Sequence, residues 1–303
     1  MHHREAPLPI VLSLPHGGLA VPDEVAGQLA INQTTIYNEC DLWVTQLFDF
    51  AHPDLGDAAN GGPGRGVLAQ VTLPIARVLI DANRAPDDLA NPDGPVKTQT
   101  SYGQPIYQTP LSPALQLALR ERYWQPYHEQ LTKLLQEQGE QTKLFIDGHN
   151  MAQLGPTAYG DPGRPRPLIC LANFGDDEGE ARAEVGWTSC APTLLRAAGQ
   201  IANELFSDLA LLEPTALTPP TVALNQPFHG GYILARYAQP NRVTRPGIMP
   251  SPPGIMLEVN RGLFVGNQQT NTPIQPPNQE RIAAIRQRLY TWALRVIALV
   301  DSQ

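Results

Sequence analysis

Short apolar segments alternate with longer segments in which apolar residues recur at helical spacing. The short segments resemble β-strands and occupy residues 9–14, 76–80, 143–147, 167–172, 221–225, 231–235 and 254–259. The longer segments predict amphipathic helices over residues 41–51, 113–137, 190–207 and 278–300. This alternation favours an α/β fold with a mostly parallel sheet that helices cover on both faces. No internal repeat or low-complexity linker divides the chain, so we predict one domain over residues 1–303.

The composition narrows the class of protein. Of the 303 residues, 42% are hydrophobic and 17% are charged, which is ordinary for a globular protein rather than a disordered one. The net charge of −8 argues against a broad surface for nucleic acid or anionic membranes. No apolar run approaches the roughly 18 residues of a membrane span, and no apolar signal segment opens the chain, so we expect a cytoplasmic protein. Cys40, Cys170 and Cys190 form no CxxC pair and predict no disulfide framework.

Four of the predicted strands end in polar residues that can carry chemistry. In open α/β sheets, ligands bind at the carboxyl ends of the strands, so these residues are expected to share one pocket. The strand-end residues are His16, Asp81, Asn83, Arg84, Asp147, His149, Asn150, Glu258, Asn260 and Arg261.

The two histidines, His16 and His149, suit a divalent metal ion, with Asp147 as an acid able to hold a histidine ring from behind. The third ligand is expected from Glu39 or Asp41. On a helix these acids point about 200° apart, so only one of them reaches the ion. Asp41 is the first choice because it leads into the amphipathic segment, and Glu39 is the alternative. Such a set leaves coordination positions open, as in catalytic zinc sites, and also suits non-haem Fe(II).

The remaining polar residues suggest hydrolysis at a carbonyl group of a substrate that carries a carboxylate. Glu258 lies between apolar neighbours and is expected to be buried, and a buried glutamate with a raised pKa is a candidate general base. Arginine suits the planar geometry of a substrate carboxylate, although an Asn-Arg pair also occurs in surface salt bridges. The candidates for binding a carboxylate are Arg77, Asn83, Arg84, Asn260 and Arg261.

The order of several short motifs resembles the N-formylglutamate amidohydrolase family over residues 9–265. The motifs are SLPHGG, ECDLWVTQLFDF, ARVLIDANRAPDDL, RYWQPYHEQL, LFIDGHNM, PFHGGYILARY and GIMLEVNRGLF. The D-x-N-R pattern is also similar to that of zinc carboxypeptidases. The resemblance implies a three-layer α/β/α fold like that of the carboxypeptidases and phosphorylase-hydrolases, with a mixed, mostly parallel sheet. It also implies one Zn²⁺ per chain and hydrolysis of N-formyl-L-glutamate to formate and glutamate in histidine degradation.

Carried over residue by residue, the resemblance assigns His16, Asp41 and His149 as zinc ligands and Glu258 as the general base. Arg84 joins Glu258 as a predicted catalytic residue. The predicted substrate-binding residues are Arg77, Asn83, Arg84, Asn150, Gly231, Asn260 and Arg261.

Three positions near the predicted pocket depart from the family pattern. The family usually has serine where this chain has Asn150, and the strand near 167–172 starts with Pro167 and ends with Ala172 instead of an acid and a glycine. The predicted partner is a small acidic N-acyl amino acid. The alternatives are a deacylase or amidase for another N-acyl amino acid or peptide-like amide, and a non-catalytic module that binds an acidic metabolite.

Overall fold

A computed structural model of the protein describes residues 6–55, 64–239 and 251–302. The strands are β1 (Leu8–Leu14), β2 (Val67–Thr72), β3 (Leu144–Met151), β4 (Ile169–Ala172), β5 (Val222–Leu224) and β6 (Gly254–Asn260). The α-helices are α1 (Asp23–Ala26), α2 (Gln33–Glu39), α3 (Val44–Leu47), α4 (Pro113–Leu119), α5 (Gln125–Gln138), α6 (Pro192–Phe206), α7 (Tyr232–Tyr237) and α8 (Gln279–Asp301). None of the helices in these ranges is long and apolar enough to cross a membrane.

The strands form one six-stranded sheet in the order β2-β1-β3-β6-β4-β5. All neighbouring strands run parallel except β4, which is antiparallel to β6. Every residue of the central strand β3 is buried, because helices cover both faces of the sheet. The prediction of a mixed, mostly parallel sheet is therefore confirmed.

Two apolar clusters occupy the two faces of the sheet. On one face, α3, α6 and α8 pack against the even-numbered residues of β3, and Trp292 donates from its indole nitrogen to the carbonyl of Ala198, 2.9 Å away. On the other face, α5 and α7 pack against Phe145, together with the apolar residues of 73–82. The three-layer arrangement follows from these two clusters.

The predicted helices over 113–137, 190–207 and 278–300 are confirmed, with one irregularity in the first of them. The segment over 113–137 begins at Pro113, where the side chain of Ser112 accepts from the backbone N–H of Leu115. A π-helical turn, Arg120–Trp124, then separates α4 from α5. Pro126 follows directly; because it has no N–H to donate to the helix, a local change of winding accommodates it.

Three predicted elements are wrong. Residues 76–80 form turns rather than a strand: the backbone N–H groups of Leu79 and Ile80 both donate to the carbonyl of Ala76. The apolar side chains are buried, and Ala76 and Ile80 form only isolated β-bridges. Residues 231–235 open helix α7, because Ile233, Leu234 and Tyr237 also fit helical spacing.

The third wrong element is the helix predicted over 41–51, of which only α3 (Val44–Leu47) is present. Trp43 has a φ of 52°, in the left-handed region, so the chain turns sharply before Val44. Asp41 consequently lies in the turn between α2 and α3 instead of on a helix, whereas Glu39 is the last residue of α2. Strand β2 was not predicted, because only one of its six residues, Val71, is buried.

Helix α5 carries a buried histidine whose protonation is linked to stability. His128 is 2% exposed, donates from Nε2 to the Ala82 carbonyl at 2.9 Å, and lies 3.0 Å from the Tyr237 hydroxyl through Nδ1. Burial lowers the pKa of His128 to about 4. The unfolded chain, with a pKa of about 6.5, therefore binds a proton at a pH where the native state does not. The stability that the neutral ring contributes is complete above pH 6.5 and is lost as the pH falls towards 4.

We expect the free energy of unfolding to fall more steeply with acidification in the wild type than in His128→Gln. The difference in slope should reach about 1.4 kcal/mol per pH unit between pH 6.5 and 4. Urea unfolding of both proteins at several pH values measures it. The comparison uses the slope of the free energy of unfolding against pH, so a pH-independent loss of stability in the variant does not affect it. Parallel curves for the two proteins would contradict the expectation.

Candidate metal centre and active-site cavity

A cavity of about 780 Å³ opens at the carboxyl ends of β1, β3 and β6. His16, His149 and Glu258 lie in its lining. Among the predicted site residues, the lining also includes Glu39, Arg77, Asn83, Arg84, Asn150, Gly231 and Arg261. The rule that ligands bind at the carboxyl edge of the sheet therefore located this cavity correctly.

Three ligand atoms converge in the wall of the cavity. The Nδ1 atom of His149 lies 3.1 Å from Nδ1 of His16 and 3.2 Å from Oδ2 of Asp41. The His16 Nδ1 atom lies 3.6 Å from the same Asp41 oxygen, and all three residues are at most 3% exposed. Ligand atoms on a tetrahedral zinc ion are about 3.3 Å apart, given metal–ligand bonds near 2 Å. His16, Asp41 and His149 could therefore hold a metal ion.

Each histidine is oriented from behind by a second carboxylate. The Nε2 atom of His16 lies 2.7 Å from Oδ1 of Asp81, and the Nε2 atom of His149 lies 3.1 Å from Oδ2 of Asp147. When Nε2 donates its hydrogen to the carboxylate behind it, the Nδ1 atom of each ring is left for a proton or a metal ion. The Nε2 atom of His149 also lies 3.3 Å from the amide nitrogen of Asn83. Two Nδ1 atoms and a carboxylate oxygen this close together in a buried site need a cation between them, either a proton or a metal ion. This donor set fits a metal ion.

The charges of the surrounding side chains also favour a cation in this centre. Burial opposes the protonation of His149, but the neighbouring carboxylates of Asp147 and Asp41 outweigh it and hold the pKa of His149 well above its usual range. Burial likewise opposes the ionisation of Asp41, yet hydrogen bonds from the two histidines hold its pKa below the usual range. The site thus has an excess of negative charge that favours a cation.

The local chain geometry explains how these residues meet. Asp147 and His149 are two positions apart on β3, so their side chains share one face of the strand. Between them, Gly148 turns to the opposite face, where an added Cβ atom would lie 2.7 Å from a methyl carbon of Leu14. The turn after α2 is fixed to the end of β1, because the backbone N–H of Asp41 donates to the His16 carbonyl at 3.0 Å.

Glu258 is the acid next to the metal centre. It is paired with His149 across β3 and β6 and is 8% exposed. Burial raises the pKa of Glu258 to about 7; the nearby Asp41 carboxylate adds to this, and His149 opposes it. Within the described ranges its carboxylate accepts no hydrogen bond, so it remains available to a molecule in the cavity.

Acidic side chains neutralise three of the arginines that line the cavity. Arg77 donates to Asp81 at 3.2 Å, Arg84 donates to Asp93 at 2.7 Å, and Arg166 forms a bidentate pair with Asp161 at 2.7 and 3.0 Å.

Arg164 and Arg261 also line the cavity, and neither has a carboxylate within ion-pair distance among the described residues. Arg261 is 8% exposed and donates from Nη1 to the carbonyls of Asn38 and Cys40 at 2.8 and 3.0 Å, while its Nε has no partner in the described part of the chain. Arg164 is exposed. These two cations are therefore available to an anionic ligand.

Two predicted site residues have other roles. Asn260 does not line the cavity: its amide nitrogen donates to the carbonyls of Arg166 and Pro167, and its amide oxygen accepts from the backbone of Gly262. The prediction that Asn260 binds substrate is therefore corrected to a structural role. The Glu39 carboxylate accepts from the backbone and hydroxyl of Ser101, so Asp41 and not Glu39 lies beside the histidines.

Three other predicted residues line the cavity but are partly engaged. The amide of Asn83 donates to Asp147 at 3.2 Å and accepts from the backbone of Ile233 at 2.9 Å. Gly231 packs against that amide, since an added Cβ atom would lie 2.3 Å from its oxygen. Asn150 donates to the carbonyl of Leu42, and its amide oxygen is buried without a partner in the described residues.

A loop over 153–166 contributes residues that the sequence analysis missed. Arg164, Arg166, Tyr159 and Asp161 reach the cavity from this loop. The loop precedes β4, and because β4 is antiparallel to β6, the start of β4 lies at the same edge of the sheet as the carboxyl ends of β3 and β6. A search of residues that follow strands cannot find it. The alternating arginines of the GRPRP stretch, directly before a strand, were the available signal.

A buried histidine–aspartate–histidine group beside a glutamate, at the open end of a parallel sheet, is typical of hydrolases that use a metal ion. A family model described as N-formylglutamate amidohydrolase matches residues 8–265. The chain belongs to the N-formylglutamate amidohydrolase family.

Individual relatives agree with the family match. The chain is 25% identical over 296 residues to an N-formylglutamate deformylase of Pseudomonas putida, covering 94% of this chain and 93% of the relative. The crystal structure of an N-formylglutamate amidohydrolase from Ralstonia eutropha JMP134 shares the fold, with a TM-score of 0.67 and 21% identity. That superposition covers 98% of this chain and 96% of the other.

The geometry separates the two candidate acids for the third ligand position. We expect Asp41→Ala to lose most of the bound metal, because the carboxylate oxygen between the two Nδ1 atoms is removed. Glu39→Gln serves as the control, since Glu39 bonds to Ser101 and not to the histidines. Elemental mass spectrometry of the purified proteins, covering zinc and iron, measures metal per chain. Loss of metal in Glu39→Gln with retention in Asp41→Ala would reverse the assignment.

Proposed function

We propose that the protein hydrolyses the amide bond of N-formyl-L-glutamate, giving formate and glutamate, with one zinc ion held by His16, Asp41 and His149. The observation that carries the proposal is the convergence of two histidine lone pairs and a carboxylate oxygen on the wall of a cavity that Glu258 also lines. Membership of the amidohydrolase family and the named activity of the Pseudomonas putida relative support the choice of substrate.

Zinc at this site would lower the pKa of a water molecule and polarise the amide carbonyl. Glu258 takes the proton from the attacking water and delivers it to the leaving amine. A carboxyl group with a pKa of about 7 can accept and release a proton near neutral pH, and burial gives Glu258 this value. Arg77 or Arg84 stabilises the negative charge that develops on the carbonyl oxygen, since both guanidinium groups line the cavity.

Arg164 and Arg261, the lining arginines without a carboxylate partner among the described residues, match the two carboxylates of N-formylglutamate. Arg261 donates to the carbonyl of Cys40, the neighbour of Asp41, so it lies near the metal centre and binds the carboxylate closest to the amide. Arg164 lies on the exposed loop and binds the side-chain carboxylate, which is further from the amide. A bidentate arginine–carboxylate contact supplies orientation as well as affinity. Another N-acyl amino acid with an acidic side chain satisfies the same two contacts.

Glu258→Gln tests the assignment of the general base. We expect kcat for N-formyl-L-glutamate to fall about 10²- to 10⁴-fold, because the amide cannot accept a proton from water. The zinc content should stay near that of the wild type, since Glu258 is not one of the converging ligands. Release of formate measures turnover. Near-normal turnover in the variant excludes Glu258 as the base, and zinc binding by the wild type without turnover of any N-acyl amino acid favours a binding module.

Arg164→Gln tests the recognition of the side-chain carboxylate. We expect kcat/KM for N-formyl-L-glutamate to fall about 10-fold, while the value for N-formyl-L-glutamine, which lacks that carboxylate, changes little. Arg281→Gln is the matched control, because it removes one positive charge from helix α8, away from the cavity lining. An equal loss for both substrates would assign Arg164 a structural role instead.

A further inference from the structure

The RYWQPYHEQL motif places a tyrosine of helix α5 in contact with the residues behind the metal centre. The hydroxyl of Tyr127 lies 2.7 Å from Oγ of Ser13, and Oγ of Ser13 lies 2.9 Å from Oδ1 of Asp147. The other oxygen of Asp147 lies 3.1 Å from Nε2 of His149. Ser13 and Asp147 are fully buried, and Tyr127 is 3% exposed. A continuous chain of contacts thus joins α5 to His149.

The directions of the two hydrogen bonds that join Tyr127, Ser13 and Asp147 are determined. Ser13 donates its single hydroxyl hydrogen to the Asp147 carboxylate. Ser13 must then accept at its own oxygen, and Tyr127 is the donor. Burial and the nearby charge of Asp147 raise the pKa of Tyr127 well above its usual range, so the phenol keeps the hydrogen that it donates. On its other side, Oδ2 of Asp147 accepts from the amide of Asn83 and lies 3.1 Å from Nε2 of His149, which is itself 3.3 Å from the same amide nitrogen.

The two acids behind the histidines are held by different chemistry. Asp81, behind His16, has two arginines beside it: Arg77 at 3.2 Å and Arg84 at 3.8 Å. Asp147 has no arginine or lysine within ion-pair distance in the described part of the chain, and its remaining donors are the neutral hydroxyl of Ser13 and amide of Asn83. The position of the Asp147 carboxylate therefore depends on these neutral hydrogen bonds.

We propose that Tyr127 is a positioning residue of the metal centre. Acting through Ser13, it fixes the Asp147 carboxylate, which keeps the hydrogen of His149 on Nε2 and leaves the Nδ1 lone pair facing His16 and Asp41. The inference rests on the proposed metal site and adds a residue that lies outside the cavity lining. Residues that orient a ligating histidine typically change metal affinity about 10- to 100-fold when they are removed.

The test is the zinc affinity of metal-free protein, measured by competition with a chromophoric chelator. We expect Ser13→Ala to weaken zinc binding about 10-fold or more, and Tyr127→Phe, one bond further away, to weaken it about threefold to 10-fold. The control is Tyr107→Phe. Tyr107 is a buried tyrosine whose hydroxyl has no partner among the described residues, so its removal should leave the zinc affinity unchanged.

A double variant separates positioning from a loss of packing. If Tyr127 acts only through Ser13, Tyr127→Phe should have no further effect on zinc affinity in the Ser13→Ala background. Additive losses would overturn the proposed series, and so would wild-type affinity in Tyr127→Phe. If Ser13→Ala does not fold, the comparison of Tyr127→Phe with Tyr107→Phe alone decides. A wild type that takes up no zinc overturns both this inference and the proposed metal chemistry, whereas zinc binding that is insensitive to Tyr127 overturns the inference alone.

Discussion

The arrangement of the whole site depends on one electrostatic constraint, the close approach of two histidine lone pairs and a carboxylate oxygen inside the protein. His16, Asp41 and His149 hold these atoms within 3.6 Å of one another. Such a group of acceptors is unfavourable without a cation, and the protein keeps it together by bracing each ring from the far side with Asp81 or Asp147. The binding free energy of a cation here therefore also stabilises the fold around it.

The order of the strands in the sheet brings the residues of the candidate site together. β1, β3 and β6 are adjacent and parallel, so the polar residues at their carboxyl ends reach the same edge of the sheet. The register that pairs His149 with Glu258 places the acid beside the metal centre. Because β4 runs antiparallel to β6, the 153–166 loop that precedes β4 also reaches this edge of the sheet. Its arginines, Arg164 and Arg166, line the cavity.

The strand-end rule and the family resemblance predicted the cavity and the histidine pair, because the apolar runs of β1, β3 and β6 are clear in the sequence. Asp41 was preferred to Glu39 because it leads into an amphipathic segment, but its position in the structure depends on a left-handed turn at Trp43, which local periodicity does not indicate. Asn260 was assigned to substrate because a strand-end amide looks the same whether it faces a ligand or the backbone of a neighbouring loop. The arginines of the 153–166 loop could not be placed without knowing the direction of β4.

The bidentate pair between Arg166 and Asp161 lies in the cavity lining but outside the candidate metal centre. It closes part of the 153–166 loop on itself and uses none of the side chains that converge in the candidate metal centre. Under the proposed function, substitutions in the exposed turn can therefore alter which acyl amino acid is accepted while the candidate metal centre stays intact. In this architecture, new substrate preferences can evolve by replacing a short surface segment.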